Sequence, residues 1–93
     1  MSSKKQWYFY VLICNDQSLY TGVSTDVHRR LKEHNAKKGA KYTRGRTPVR
    51  LFYYREMKDR SSAQKLESSF KKLRREKKLE RLCEMVDEDI GLI

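Results

Sequence analysis

Residues 7–23, WYFYVLICNDQSLYTGV, decide the fold. From Trp7 to Cys14 aromatic and β-branched residues fill both alternating positions, the pattern of a strand covered on both faces and therefore central in its sheet. Asn15, Asp16, Gln17 and Ser18 are turn formers, and Leu19 to Val23 returns as a second strand, so the stretch reads as a β-hairpin. Loop length then sets the faces. Pairing Cys14 with Ser18 across a three-residue loop, or through a bulge, puts Tyr10 and Tyr20 on one face; a four-residue loop without a bulge separates them. Gly22 marks either a bulge or a place where another group comes close to the backbone.

Working outward, Ser24 or Thr25 followed by Asp26 supplies an N-cap and a first-turn acid for a helix through about Ala36. Residues 37–50, KKGAKYTRGRTPVR, hold two glycines and the only proline and read as a loop or irregular excursion. Leu51 to Met57 is a third strand. Asp59 or Ser61 caps a second helix through about Arg74, and a third runs from about Arg75 to Val86. The order β-β-α-β-α-α predicts an α/β sandwich, a three-stranded antiparallel sheet with flanking helices. Residues 1–86 form one domain, and 87–93 are an acidic tail expected to fray.

The chain has 93 residues, with 22 Lys and Arg against 12 Asp and Glu, a formal net charge of +10. Glu84, Asp87, Glu88 and Asp89 crowd the end, so residues 1–83 carry 22 basic and 8 acidic side chains, a net of +14. That is the profile of a surface that neutralises phosphates, and it makes nucleic acid the leading partner. No apolar run approaches the roughly 20 residues that span a bilayer, and Met1 to Gln6 is polar, so neither a membrane span nor a signal peptide is expected. Cys14 and Cys83 lack metal-site or redox spacing and read as reduced thiols, which fits a cytoplasmic protein.

Three sets of polar residues interrupt the apolar patterns. In the first helix the core-facing template from Val27 lands on Val27, Arg30, Leu31 and His34, and Arg30 and His34, four apart, share a face. Either they act on one bound group, or Arg30 pairs with a buried carboxylate while His34 suits the helix C-terminus. In the second helix Ala63, Leu66, Phe70 and Leu73 form the apolar stripe and Glu67 lies at its edge. Periodicity alone favours an i,i+4 pair between Glu67 and Lys71 over a ligand role. Tyr8, Tyr10 and Tyr20 are core rings with hydroxyls seeking partners, or contributors to a site.

Tyr8-Phe9-Tyr10 and Tyr20-Thr21-Gly22 resemble the two half-motifs that name the GIY-YIG nuclease superfamily, with Tyr8 in place of the glycine and Thr21 in place of the isoleucine. Arg30 ten residues after Tyr20, His34 four further on, and Glu67 in a later helix match that family's arginine, helix histidine and metal-binding glutamate. The phrases SLYTG, RRLKEHN and KGAKYTRGRTPVRL are similar to its small stand-alone bacterial YhbQ-like branch, over nearly the whole chain. Val23 and Leu79 depart from the pattern, standing where some relatives carry a lysine and an asparagine.

The resemblance implies a DNA endonuclease that hydrolyses phosphodiesters with one divalent cation, in DNA repair or recombination. Glu67 would hold one Mg²⁺ or Mn²⁺, and Arg30 would contact the scissile phosphate. Tyr10 assisted by His34 would be the general base, with Tyr20 orienting water or phosphate; a phenol near its ordinary pKa of about 10 is a weak base, so Arg30 and the metal must favour the phenolate. Lys37, Lys38, Lys41, Arg44, Arg46 and Arg50, six cations without one acid, would track the backbone, and Tyr42 would stack on an unpaired base. Branched, nicked or single-stranded DNA are the substrates to expect, with RNA and a targeting protein as further partners. The alternative is a non-catalytic nucleic-acid-binding module that has kept the nuclease fold.

Overall fold

A computed structural model describes residues 5–90, with side chains through 88. The opening hairpin pairs β1 (Trp7–Ile13) with β2 (Leu19–Ser24), antiparallel, with Tyr10 opposite Gly22 and Leu12 opposite Tyr20. The loop is the three-residue kind. Gln17 N–H donates to the Cys14 carbonyl at 2.9 Å, Cys14 N–H to the Ser18 carbonyl at 2.8 Å, and Gln17 takes φ 70°. Asp16 stabilises this turn by accepting from Ser18 N–H at 3.0 Å and from the Ser18 hydroxyl. Tyr10 and Tyr20 consequently point to one face, the outcome that the odd loop length requires.

β3 (Arg50–Met57) pairs antiparallel with the other edge of β1, giving the strand order β2-β1-β3. It begins at Arg50, one residue before the expected start, because Arg50 pairs with Ile13; a bulge at Phe52 shifts the register between Val11 and Leu12. β1 is central, as expected, and Phe9, Tyr10, Val11 and Leu12 are at most 1% exposed. Each face has its own core. Phe9, Val11 and Leu19 pack with Phe70, Leu82 and Met85, whereas Tyr10, Leu12 and Cys14 pack with Val27 and Val49.

The first of those faces is covered by α3 (Arg60–Lys71) and α4 (Arg75–Ile90), the second by α1 (Val27–Asn35). Asp59 caps α3 by accepting from Ser62 N–H. The cap of α1 is Asp26 rather than Ser24 or Thr25: its carboxylate accepts from Arg29 N–H at 3.0 Å, and the Ser24 hydroxyl accepts from Asp26 N–H, supporting the cap from outside the helix. The 37–50 segment is more ordered in its path than a loop, since it contains a one-turn helix, α2 (Lys41–Arg44). α4 continues past Val86 to Ile90, so Asp87, Glu88 and Asp89 extend the helix, and the last part of the expected frayed tail, 91–93, lies outside the described residues. Arg75, at the start of α4, donates twice to the Gln17 carbonyl and fixes this helix to the hairpin turn. Both cysteines are free, Cys14 buried and Cys83 exposed. Among the described residues no helix is long and apolar enough to cross a membrane.

Candidate active site

Tyr10 is the centre of the polar cluster. β1 carries its ring into the α1-side core, where it is 1% exposed, and its hydroxyl lies 3.1 Å from His34 Nε2. Gly22 stands opposite on β2, and a Cβ there would sit 2.5 Å from the Tyr10 hydroxyl oxygen. The glycine is thus needed for space: the group approaching the backbone is the phenol itself.

His34, in the last turn of α1, is fully buried. Its Nδ1 is 2.8 Å from the Thr43 hydroxyl of α2, which itself donates to the Ala40 carbonyl at 3.0 Å. With the Thr43 proton so used, the arrangement that satisfies the network has Nδ1–H donating to Thr43 and Nε2 accepting from Tyr10. Ala40 N–H also faces Nδ1, but at 3.4 Å it is the weaker contact. Burial and the nearby Arg30 charge lower the His34 pKa, and Glu33 opposes them, so the imidazole is neutral near pH 7. Gly39 makes room here as Gly22 does for Tyr10, since a Cβ at 39 would collide with the His34 ring. Asn35, next in α1, donates to the Val49 carbonyl at 3.0 Å and accepts from Val49 N–H at 2.7 Å, tying the helix end to the approach of β3.

Arg30 lies one turn before His34 and shares its face. Its guanidinium acts electrostatically on Tyr10 and pairs with Glu33 at 2.6 Å, its side chain 30% exposed. Burial works against its charge, but these two partners outweigh it and hold the guanidinium more firmly cationic than usual. The nearby guanidinium offers only donors, so the Tyr10 hydroxyl proton is directed toward His34 Nε2, the acceptor 3.1 Å away. Burial raises the Tyr10 pKa; the Arg30 guanidinium pulls the other way, and Tyr20 and Glu67 push it further up. The net direction is upward, against the phenolate that a simple tyrosine base needs.

The remaining two residues complete the convergence. The Tyr20 ring lies 5.1 Å from that of His34 and stacks on Tyr42 at 6.0 Å. Glu67 comes from α3, which packs on β1 and β2, and its carboxylate acts electrostatically on Tyr10. The same carboxylate pairs with Lys71 at 3.1 Å, its side chain 21% exposed against 50% for the lysine. The surface ion pair and the electrostatic reach to Tyr10 therefore coexist. No group of three His, Cys, Asp or Glu that could cage a metal occurs among the described residues. A single, partly solvated carboxylate is nevertheless the donor set that suits a hard cation retaining most of its waters.

The basic segment divides. Lys37, Lys38, Lys41, Arg44 and Arg50 are exposed and free to meet phosphates. Arg46 is held in place: it donates to Asp16 at 2.9 Å and to the Tyr42 carbonyl at 2.8 Å, with its guanidinium 4.0 Å from the Tyr42 ring centroid. Tyr42 is 40% exposed, but Arg46 and Tyr20 already lie against its ring. Leu79 packs against the α3–α4 core, and Val23 pairs with Phe9. Thr43, Gly39 and Asn35 escaped the sequence reading. A threonine and a glycine inside a cationic run were the only signal, and the charges around them pointed elsewhere.

Comparison with known proteins bears on this geometry. The chain is 56% identical over 72 residues to a UPF0213 protein of Streptococcus sanguinis, covering 77% of this chain and 83% of that one. It is 55% identical over 71 residues to one of Haloquadratum walsbyi, covering 76% and 80%. A solution structure of an Enterococcus faecalis protein matches with TM-score 0.59 and 43% identity over 92% of this chain and 93% of that one. One of a Bacillus halodurans UPF0213 protein matches with TM-score 0.55 and 46% identity over 86% and 84%. The family described as the GIY-YIG catalytic domain matches residues 6–80, a span that includes Tyr10, Tyr20, Arg30, His34 and Glu67. The chain therefore belongs to the GIY-YIG catalytic domain family, nuclease domains whose substrate is nucleic acid.

Proposed function

We propose that the chain is an endonuclease that hydrolyses DNA phosphodiester bonds with one divalent cation at Glu67. The observation that carries this reading is the Tyr10 phenol, buried, 3.1 Å from a neutral imidazole that accepts from it, with a guanidinium and a lone carboxylate in electrostatic reach. Hydrolysis needs a water stripped of a proton, charge stabilisation on the phosphate, and relief of charge on the departing oxygen. Tyr10 and His34 answer the first need as a pair. Tyr10 takes a proton from the attacking water while handing its own to His34 Nε2, so no free phenolate forms and the raised Tyr10 pKa is no obstacle. The products of that step are the nucleophilic hydroxide, a neutral Tyr10 and an imidazolium.

Arg30 answers the second need. Its partly exposed guanidinium is the side of the cluster through which a phosphate reaches the phenol, and its planar fork fits phosphate oxygens. Glu67 would hold the Mg²⁺ or Mn²⁺, which when bound supplies charge neutralisation at the leaving oxygen. Lys37, Lys38, Lys41, Arg44 and Arg50 guide the backbone into place.

The test is a cleavage panel on single-stranded, nicked, branched and duplex DNA with Mg²⁺ or Mn²⁺. Tyr10→Phe and Glu67→Ala are expected to lower the rate at least about 100-fold each, as removal of a general base or a metal ligand does. Cleavage that survives Glu67→Ala sinks the metal assignment. Salt-sensitive binding with no cleavage of any substrate favours a binding module that keeps the fold.

A further inference from the structure

Beside the cluster, at the β2 edge of the sheet, lies a pocket of about 350 Å³ walled by Leu19, Tyr20, Thr21, Tyr42, Lys71 and Lys78. None of these walls is acidic. Thr21 is 2% exposed, and its hydroxyl oxygen is buried without a hydrogen-bond partner. A buried hydroxyl left unpaired costs on the order of 1–3 kcal/mol, so its persistence calls for a partner that arrives from outside. Lys78 is half-buried. Burial and the neighbouring Lys71 charge both depress its pKa, with no carboxylate among the described residues acting to raise it; Lys71 is itself paired with Glu67 at 3.1 Å, a half-exposed pair that an entering phosphate can separate. Lys71 lies 5.7 Å from the centroid of the Tyr20 ring.

Two cations and an unanswered hydroxyl around one cavity suit an anion with several acceptor oxygens, and the apolar remainder of the wall suits the nucleoside attached to it. We propose that this pocket binds a backbone phosphate of a single-stranded segment, next to the bond presented to Tyr10, with Lys71, Lys78 and Thr21 as its ligands. Its position relative to the cut rests on the nuclease reading; the phosphate site itself does not. Tyr20 is shared between the two, with its ring against His34 on one side and forming a pocket wall on the other. The substrate class follows, because a strand must leave its duplex for one nucleotide to enter a pocket at a sheet edge.

The test is fluorescence anisotropy of 3′-labelled single-stranded DNA titrated in EDTA across a salt series, so that binding is read without cleavage. Lys78→Ala and, as a milder change, Lys78→Gln are expected to weaken binding about 5- to 10-fold and to reduce the salt slope by about 0.7, one phosphate contact on a single strand. Thr21→Val is expected to weaken binding a few-fold with an unchanged slope, because it removes a hydroxyl and no charge. Lys77→Ala, at an exposed neighbour paired with Glu80, is the control and moves affinity less than about twofold. Inorganic phosphate is expected to shift the Thr21 amide resonance in the original chain and not in Lys78→Ala. Equal affinity of Lys78→Ala and Lys77→Ala overturns the site. Equal losses on a blunt duplex overturn the single-stranded assignment, and a loss confined to oligonucleotides bearing a 5′-phosphate overturns the backbone-phosphate assignment. A chain that shows these binding effects yet cuts nothing overturns the nuclease reading and leaves the pocket standing.

Discussion

Replacing Gly22 by alanine tests the central packing of the site with one methyl group. The added Cβ would lie 2.5 Å from the Tyr10 hydroxyl oxygen, 2.6 Å from Cζ and 3.0 Å from Cε2. To reach an ordinary contact of 3.4 Å the phenol must retreat by about 0.9 Å, and its ring, 1% exposed and packed among Leu12, Val27 and Val49, has no solvent to retreat into. Overpacking of this kind costs about 1–3 kcal/mol. In a domain of this size that lowers Tm by roughly 4–24 °C. The same retreat disturbs the 3.1 Å contact with His34, so cleavage should fall by more than the loss of folded protein explains. Urea denaturation gives the stability term, and the double variant Tyr10→Ala with Gly22→Ala isolates the pair. With the ring gone the alanine has nothing to strike, and its cost should drop below about 0.5 kcal/mol. If Gly22→Ala leaves both Tm and cleavage unchanged, or if its cost persists in the Tyr10→Ala background, the close approach of phenol and backbone is refuted.

Three further outcomes follow from the geometry. The His34 pKa is depressed in the folded state, so unfolding takes up protons between that value and the ordinary 6.5; the contribution to stability is fully present above pH 6.5 and declines as pH falls through the folded-state value, which urea midpoints over pH 5–8 should show and His34→Gln should flatten. Asn35→Ala removes both hydrogen bonds to the Val49 backbone and should cost about 1–3 kcal/mol, with faster amide exchange at Val49; unchanged exchange there would count against the clamp. Glu67→Gln should abolish metal-dependent cleavage while moving Tm by less than about 3 °C, because its visible partner is a half-exposed lysine and such pairs contribute a few tenths of a kcal/mol.

The hairpin was legible because its apolar strands and turn formers are local signals, whereas the loop length that decides whether Tyr10 and Tyr20 share a face was open until Cys14 and Ser18 were seen to pair across three residues. Arg30 and His34 were legible because helical periodicity makes a polar residue on an apolar face conspicuous. Thr43, Gly39 and Asn35 were not, because their partners are created by the tertiary fold: Thr43 and Asn35 reach residues 9 and 14 positions away, and no local pattern encodes such distances. The cap of α1 was misplaced for a related reason. Ser24, Thr25 and Asp26 are all competent caps, and only the backbone path selects Asp26, leaving Ser24 to hold the Asp26 amide. Arg46 looked like its cationic neighbours, but Asp16 on the hairpin turn engages it.

Of the two readings of Glu67 that the sequence leaves open, the surface ion pair is present, and the proposed ligand role would use the same carboxylate. Lys71 holds the carboxylate at 3.1 Å and also walls the phosphate pocket, so the same ammonium is offered to two anions. The pair is half-exposed and worth a few tenths of a kcal/mol, so a divalent cation or a phosphate can separate it at little cost. A cation at Glu67 repels the Lys71 ammonium toward the pocket, and a phosphate in the pocket draws it the same way; the two bindings should therefore reinforce one another. Lys71→Ala makes this testable because its effects run in opposite directions. Without the competing ammonium, Mn²⁺ should bind Glu67 a few-fold more tightly, measured by calorimetry on the free protein. Without a phosphate ligand, single-stranded DNA should bind more weakly, and the help that Mn²⁺ gives to DNA binding should shrink toward the plain screening effect of the salt. Losses in both affinities would mean that Lys71 merely orders α3, and an unchanged coupling between metal and DNA would show that the lysine is not the group passed between them.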